Sequence, residues 1–335
     1  MPDRREFLLS AAALAAACAR GRPVVEAGAQ PRLPLGFSTL GCPTWSWAGI
    51  LQEAQRDGYA AIELRGLEGE MDLTKRPELA PEQLAARRRE LAEVGARVIC
   101  LGASATMHQM DPAKRDAQLD EARRFIDLAS TLGAPYVRVF GDRKLPGVDR
   151  DAMLAHVARG LRELGEYAEG RGVTVLIESH GDFTDSASLL EILERAGSRG
   201  VALLWDAHHT FVSGGEEPEV TVNRLGRWIR HTHLKDSVPA GSDRRYVLTG
   251  TGDVPVRRQI AALARIRYAG YYSFEWEKRW HPEIEEPEVA IPHFARVASQ
   301  YLRDAGVTTS ADHIIPRTET PGARDAVEAL KRRNL

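Results

Sequence analysis

Cysteine is scarce: three in 335 residues, too few for a disulfide framework. Cys42 and Cys100 sit in apolar surroundings that suit buried thiols. Charge of one sign is lacking as well. Lys and Arg number 45 against 47 Asp and Glu, a formal net charge of -2, so there is no electrostatic footprint for nucleic acid or an anionic membrane. The apolar stretch Leu8 to Ala17 has about half the ~20 residues that a membrane-spanning helix needs. No Gly-x-Gly-x-x-Gly turn follows the first strand-like run, which removes the fingerprint of a dinucleotide-binding open sheet. What is present is a chain with 43% hydrophobic residues, ample for one barrel of roughly 250 residues or for two smaller domains.

From Leu33 onward, strand-like and helix-like segments alternate. Strands are expected at 34–39, 59–64, 97–101, 136–140, 173–177, 201–205, 228–232 and 270–274. Continuous apolar runs such as Val201-Ala-Leu-Leu-Trp205 suit strands buried on both faces. Helices are expected near 50–57, 81–94, 112–132, 149–168, 185–196, 219–225, 256–264 and 288–304. Asp111, Asp149 and Thr184 or Asp185 serve as starts, and Gly95 and Gly133 as stops. Long loops are expected at 103–110 and 236–255. Eight strands, each followed by a helix, with no break in composition, predict a (β/α)8 TIM barrel over residues 33–304.

The ends read differently. Arg4-Arg5-Glu-Phe-Leu8 followed by a short apolar run resembles a twin-arginine export signal over residues 1–29, which implies the twin-arginine machinery as a partner. Ala27-Gly-Ala29 has the form of a cleavage site, and Cys18 that of a lipid-attachment cysteine. The expected location is exported, periplasmic or extracytoplasmic. Residues 305–335 read as a polar tail with a short basic helix.

Chemistry concentrates at four strand ends. Glu178, Asp206, His233 and Glu275 each close an apolar run, at intervals of 28, 27 and 42 residues. Consecutive parallel strands delivering three carboxylates and an imidazole to one rim describe a metal site. The hard, oxygen-rich donor set favours one Mn²⁺, with Mg²⁺, Co²⁺ and Zn²⁺ as competitors. Strand alternation leaves Glu277 as a second candidate beside Glu275, and puts His231 on the same face as His233. His208 and His231 are expected to be core or supporting groups, and His209, in the following loop, to reach a ligand of the metal. Arg65, His108 and Arg138 lie at or near other strand ends and are candidate substrate contacts, with structural ion pairs as the alternative. Trp45, Trp47, Trp276 and Trp280 could wall a sugar ring or simply pack.

The stretches Ile177-Glu178, Trp205-Asp-Ala-His-His209, His231-Thr-His-Leu-Lys-Asp236 and Ser273-Phe-Glu-Trp-Glu277 together resemble the xylose isomerase-like superfamily of sugar isomerases, epimerases and inosose dehydratases, over about residues 35–304. The resemblance implies that Glu178, Asp206, His233 and Glu275 hold the metal, and that Glu178 and Glu275 move protons on opposite faces of the substrate. It implies that His209 binds substrate and that Lys235 touches substrate or a bridging oxygen. The arginine that ketose 3-epimerases carry a few residues past the histidine has no clear counterpart. The expected activity is a metal-dependent sugar or polyol isomerase or epimerase, working through proton abstraction alpha to a carbonyl. A lyase or dehydratase on a keto-sugar, inosose or keto-glycoside is the neighbouring outcome, and a non-catalytic carbohydrate-binding barrel the alternative. A phosphodiesterase of the apurinic endonuclease type is opposed by the charge balance. Expected partners are a small sugar, polyol or glycoside and an optional oligomer, with no nucleic acid and no transmembrane segment.

Overall fold

The computed structural model describes residues 32–308. The expected export signal with Cys18, and nearly all of the tail, lie outside the described residues. Among them, no helix is long and apolar enough to cross a membrane.

Eight parallel strands close into a barrel: β1 (Leu35–Ser38), β2 (Ala61–Leu64), β3 (Arg97–Thr106), β4 (Tyr136–Phe140), β5 (Thr174–Glu178), β6 (Val201–Asp206), β7 (Ile229–Leu234) and β10 (Tyr272–Phe274). Each strand pairs with its neighbours in sequence order, and β10 closes onto β1. The outer helices are α1 (Trp47–Arg56), α2 (Leu84–Glu93), α3 (Pro112–Leu132), α4 (Arg150–Glu169), α5 (Ser186–Ala196), α6 (Ala207–Val212), α7 (Pro218–Leu225), α8 (Val256–Arg265) and α9 (Pro287–Asp304). The helix starts follow side-chain chemistry. Asp111, Asp149 and Asp185 each accept a backbone N–H from the first turn of the helix they open, and Gly133 and Gly197 end two of them in the left-handed conformation.

The core lies in two places. A large cluster fills the layer between strands and helices. A smaller one, including Ala61, Ile99, Cys100, Leu176, Ala202 and Leu204, plugs the barrel interior. Polar side chains near the carboxyl ends of the strands therefore rest on a solid apolar floor. Cys42 and Cys100 are buried free thiols.

Three local expectations change, and one open alternative is resolved. Strand β3 runs on to Thr106 instead of giving way to a loop at Ala103. Its outgoing amides are taken by α3 side chains, Glu121 for Ser104 at 2.7 Å and Gln118 for Thr106 at 2.8 Å. The segment read as a loop over 236–255 opens with an antiparallel hairpin, β8 (Asp236–Ala240) and β9 (Asp243–Val247). Gly241, at φ 65°, lies in the turn. Asp236 then ties down the remainder by accepting the amides of Gly250, Gly252 and Val254. His209 lies in helix α6, not in a loop, because Asp206 caps it. Trp47 and Trp276 are core residues, their indole N–H groups donating to Glu90 and to the carbonyl of Glu285. Only Trp280 of the four is largely exposed.

Candidate metal centre

Strand register explains how four residues distant in sequence reach one place. Asp206 pairs with His233, and His233 with Ser273. Glu275 lies two residues beyond Ser273, and Glu178 pairs with Leu204, two before Asp206. All four therefore share the inward parity, stepped by two residues at each end of the arc, as a tilted barrel requires. Glu178, Asp206, His233 and Glu275 each offer a ligand atom within 4.8 Å of all the others, and all four are buried.

Each side chain is held by a partner that leaves one atom for the cluster. Asp206 Oδ1 accepts the amide of His209 at 3.0 Å as the α6 cap, which turns Oδ2 inward. Glu178 Oε2 lies 3.0 Å from Arg138 Nε, and Glu178 Oε1 lies 3.4 Å from His233 Nδ1. Glu275 Oε2 pairs with Lys235, and Glu275 Oε1 lies 3.1 Å from the same Nδ1. His233 is fixed from behind, its Nε2 2.8 Å from Glu63 Oε2 on β2. Glu63 also takes His231 Nε2 at 2.8 Å and the Ser38 hydroxyl at 2.9 Å. With Nε2 donating to Glu63, His233 turns Nδ1 toward carboxylate oxygens. His233 Nδ1 is buried without a hydrogen-bond partner, while Asp206 Oδ2 and Glu178 Oε2 are held only by ion pairs to Lys235 and Arg138. A lone pair facing carboxylates in a dry site is repulsive unless a proton or a cation lies between them. The orphaned nitrogen and the O₃N donor set fit a divalent ion.

The titration behaviour agrees. Burial opposes charge on His233, yet Glu275, Glu63 and Glu178 raise its pKa well above the ordinary value, so a proton takes the cation's role there. Burial pushes the Asp206 pKa up to about 7 against the pull of Lys235, with Glu275 and Glu178 adding to the rise. Burial works against ionisation of Glu178 and Glu275 too. For Glu178 the charges of Arg138 and His233 prevail, and for Glu275 those of His233 and Lys235, so both are lowered.

The remaining expected site residues divide. His209 stands beside the cluster, Nε2 3.5 Å from Asp206 Oδ2, and burial followed by the Lys235 charge keeps it neutral. Lys235 is fully buried, clamped among Asp206 at 2.7 Å, Glu277 at 2.6 Å and Glu275. It thus neutralises ligands rather than projecting into open space. Arg138 is the partner of Glu178, with Nη1 donating to the Ala103 carbonyl. Arg65 leans over the same region with a long bond to the Gly102 carbonyl at 3.4 Å. His108 stands apart, Nδ1 3.5 Å from Asp142 and Nε2 3.0 Å from the Gln109 amide. His208 donates to or accepts from Ser237 at 2.8 Å.

Glu63, Glu277, His180 and Tyr246 complete the surroundings. Glu63 carries a legible signal, a lone acid inside the apolar strand Tyr59-Ala-Ala-Ile-Glu-Leu64. His180 and Tyr246 do not. They join a run of ring contacts, Phe140–His180–His209–His208–Tyr246–His281, whose members come from five separate segments.

A closed parallel barrel that gathers three carboxylates and an imidazole at its carboxyl rim defines a class of candidate divalent-metal barrels. The family model described as xylose isomerase-like TIM barrel matches residues 51–298, and the chain belongs to that family. It is 26% identical over 171 residues to fructoselysine 3-epimerase of Shigella flexneri, a match covering 49% of this chain and 60% of that relative. Among solved structures, it resembles an L-ribulose 3-epimerase (TM-score 0.67, 18% identity, 81% of this chain and 95% of that one). It also resembles the probable 3-DHS dehydratase AsbF from Bacillus anthracis (0.65, 17%, 80% and 99%). A third is IolI with a bound zinc atom (0.65, 17%, 82% and 98%). At these identities the likeness to the solved structures is one of fold.

Proposed function

We propose that the chain is a divalent-metal-dependent isomerase or epimerase acting on a sugar or polyol by moving a proton next to a carbonyl. The observation that carries this reading is the buried four-donor cluster with a glutamate at each end of its arc. Glu178, Asp206, His233 and Glu275 would hold the ion, Mn²⁺ by preference for a hard donor set. Bound there, the ion would polarise the substrate carbonyl and acidify the adjacent C–H. One of Glu178 and Glu275 takes that proton, and the other returns one to the opposite face or to the neighbouring carbon. Arg138 and Lys235 fix the far oxygens of the two glutamates, so each presents a single oxygen inward. His209, neutral beside Asp206, is placed to hydrogen-bond a substrate hydroxyl.

A second reading, a lyase or dehydratase using the same abstraction, draws support from the lack of a counterpart to the ketose 3-epimerases' arginine, a place that Arg244, eleven residues past His233, does not fill. Arg244 is engaged elsewhere, bonded to the Ser237 hydroxyl and carbonyl at 2.7 and 2.9 Å and paired with Asp253. The sequence reading of an exported chain favours a free sugar, inositol derivative or glycoside. The test is deuterium wash-in from D₂O by metal-loaded protein across ketoses, inososes and 3-keto-glycosides, with products separated into isomers and eliminated species. Glu275→Gln and Glu178→Gln should each cost about 10²- to 10⁴-fold in exchange. Full exchange by a metal-retaining Glu275→Gln protein would refute its role.

A further inference from the structure

Arg65 is the one site cation that the proton-transfer scheme leaves without a task. It follows β2 directly, its own amide donating to Thr39 Oγ1 at 2.9 Å. Gly66, at φ 104°, turns the chain away after it. The Arg65 side chain lies back across β3 above Gly102. A Cβ placed on Gly102 would stand 2.5 Å from Arg65 Cδ and 2.8 Å from Arg138 Nη2, so this glycine makes room for two guanidinium groups side by side. Arg138 has Glu178. Arg65, only 7% exposed, has the long bond to the Gly102 carbonyl, and among the described residues no carboxylate lies within 4 Å of its guanidinium. Burial and the neighbouring Arg138 charge pull its pKa down to about 10, against the weaker upward pull of Glu178, Glu63 and Glu275, none of which pairs with it directly. A desolvated cation beside another cation is costly unless something anionic joins it.

Arg65 also faces a cleft at the mouths of β1 and β2, lined by Thr39, Gly66, Gly69 and the half-buried Arg279 from the loop after β10. No acidic side chain lines the cleft. Its free space, about 10 Å³, is close to what one water needs. Two arginines from opposite sides of β1 thus line one small space whose walls carry no acidic side chain.

We propose that Arg65, assisted by Arg279, binds a carboxylate on the substrate, so that the barrel acts on an acidic keto-sugar of the keto-uronate type. The inference rests on the proton-transfer reading of the adjoining centre and names its substrate class. A guanidinium fork matches a planar carboxylate. The narrow cleft admits one inward oxygen more readily than the three of a phosphate.

The test compares D-fructose, D-fructuronate and D-fructose 6-phosphate as probes of the metal-loaded protein. Deuterium exchange measures turnover, and calorimetric titration measures binding. Wild type should favour the uronate over the neutral sugar by at least about tenfold in kcat/KM. Arg65→Gln should lower kcat/KM on the uronate by about 10- to 100-fold more than on fructose, the scale of hydrogen bonds to a charged group, with the difference carried mostly by KM. Arg65→Lys should restore part of the preference, and Arg279→Ala should weaken it in the same direction. Equal losses on acid and neutral sugar in Arg65→Gln, with Arg65→Lys no better, would overturn the subsite and make Arg65 a structural cation. An Arg65-dependent preference for the phosphate would overturn the carboxylate assignment. If none of the sugars exchanges deuterium, the catalytic reading fails for these sugars, and the subsite is decided separately. Tighter binding of fructuronate than fructose, lost in Arg65→Gln, would uphold it, and equal binding would remove it.

Discussion

Replacing Glu63 with Gln tests the centre at the point where supporting and coordinating atoms meet. Glu63 Oε2 lies 2.8 Å from His231 Nε2 and from His233 Nε2, and Oε1 accepts the Ser38 hydroxyl. Burial opposes the Glu63 charge, but His233 and His231 outweigh it and hold the carboxyl well below its usual range. Gln keeps the shape and removes the charge. Hydrogen bonds to an ionised acceptor are roughly twice as strong as neutral ones, a difference of about 1 kcal/mol per bond. Two such bonds give a destabilisation of about 2 kcal/mol. One amide orientation also sets an N–H₂ against an imidazole N–H, freeing the His233 ring to turn its Nδ1 away from Asp206 and Glu275. The expected result is metal affinity about 10- to 100-fold weaker, read by competitive titration against a chelator, with the barrel still folded by circular dichroism. Wild-type affinity in a folded Glu63→Gln protein would refute the argument that Glu63 aims His233 Nδ1 at an ion.

Metal affinity should also depend on pH with a defined sign. The raised pKa values of Asp206, about 7, and of His233 mean that the metal-free centre carries protons that an ion must displace. Affinity should therefore rise with pH through 7, by up to about tenfold per unit for each proton released; a flat profile from pH 5.5 to 8.5 would contradict it. Gly102→Ala should destabilise the fold by about 1–3 kcal/mol in denaturant titration, because the added methyl meets the buried side chains of Arg65 and Arg138, which must shift to admit it. An unchanged midpoint would mean that the two guanidiniums are less confined than their burial indicates.

The alternation of apolar strands with capped helices was readable because each element is specified by local chemistry. Asp111, Asp149, Asp185 and Gly133 mark ends whatever the chain does elsewhere. The β8–β9 hairpin was not readable, since its outward residues are polar and its inward ones few, so no strong two-residue period marks it. Helix α6 was hidden for a related reason. Six residues carry too little periodicity, and its start depends on Asp206, whose position beside the cluster is what drew attention. Lys235 stood out by its place after His233, but its surroundings did not: Glu275 and Glu277 are 40 and 42 residues away in sequence and meet it only when β10 closes onto β7.

The sequence alone determined the repeating strand-helix plan and the four strand-end residues that share one inward parity, because burial on both faces and side-chain alternation are properties of each strand by itself. Tertiary structure alone decided which oxygen and which nitrogen of those residues turn inward. That choice belongs to Glu63, Arg138, Lys235 and the α6 backbone, which the barrel brings alongside from other strands. It also left Arg65 near the centre with no carboxylate in direct contact, because charge balance in a closed barrel is set by neighbours across the ring rather than along the chain.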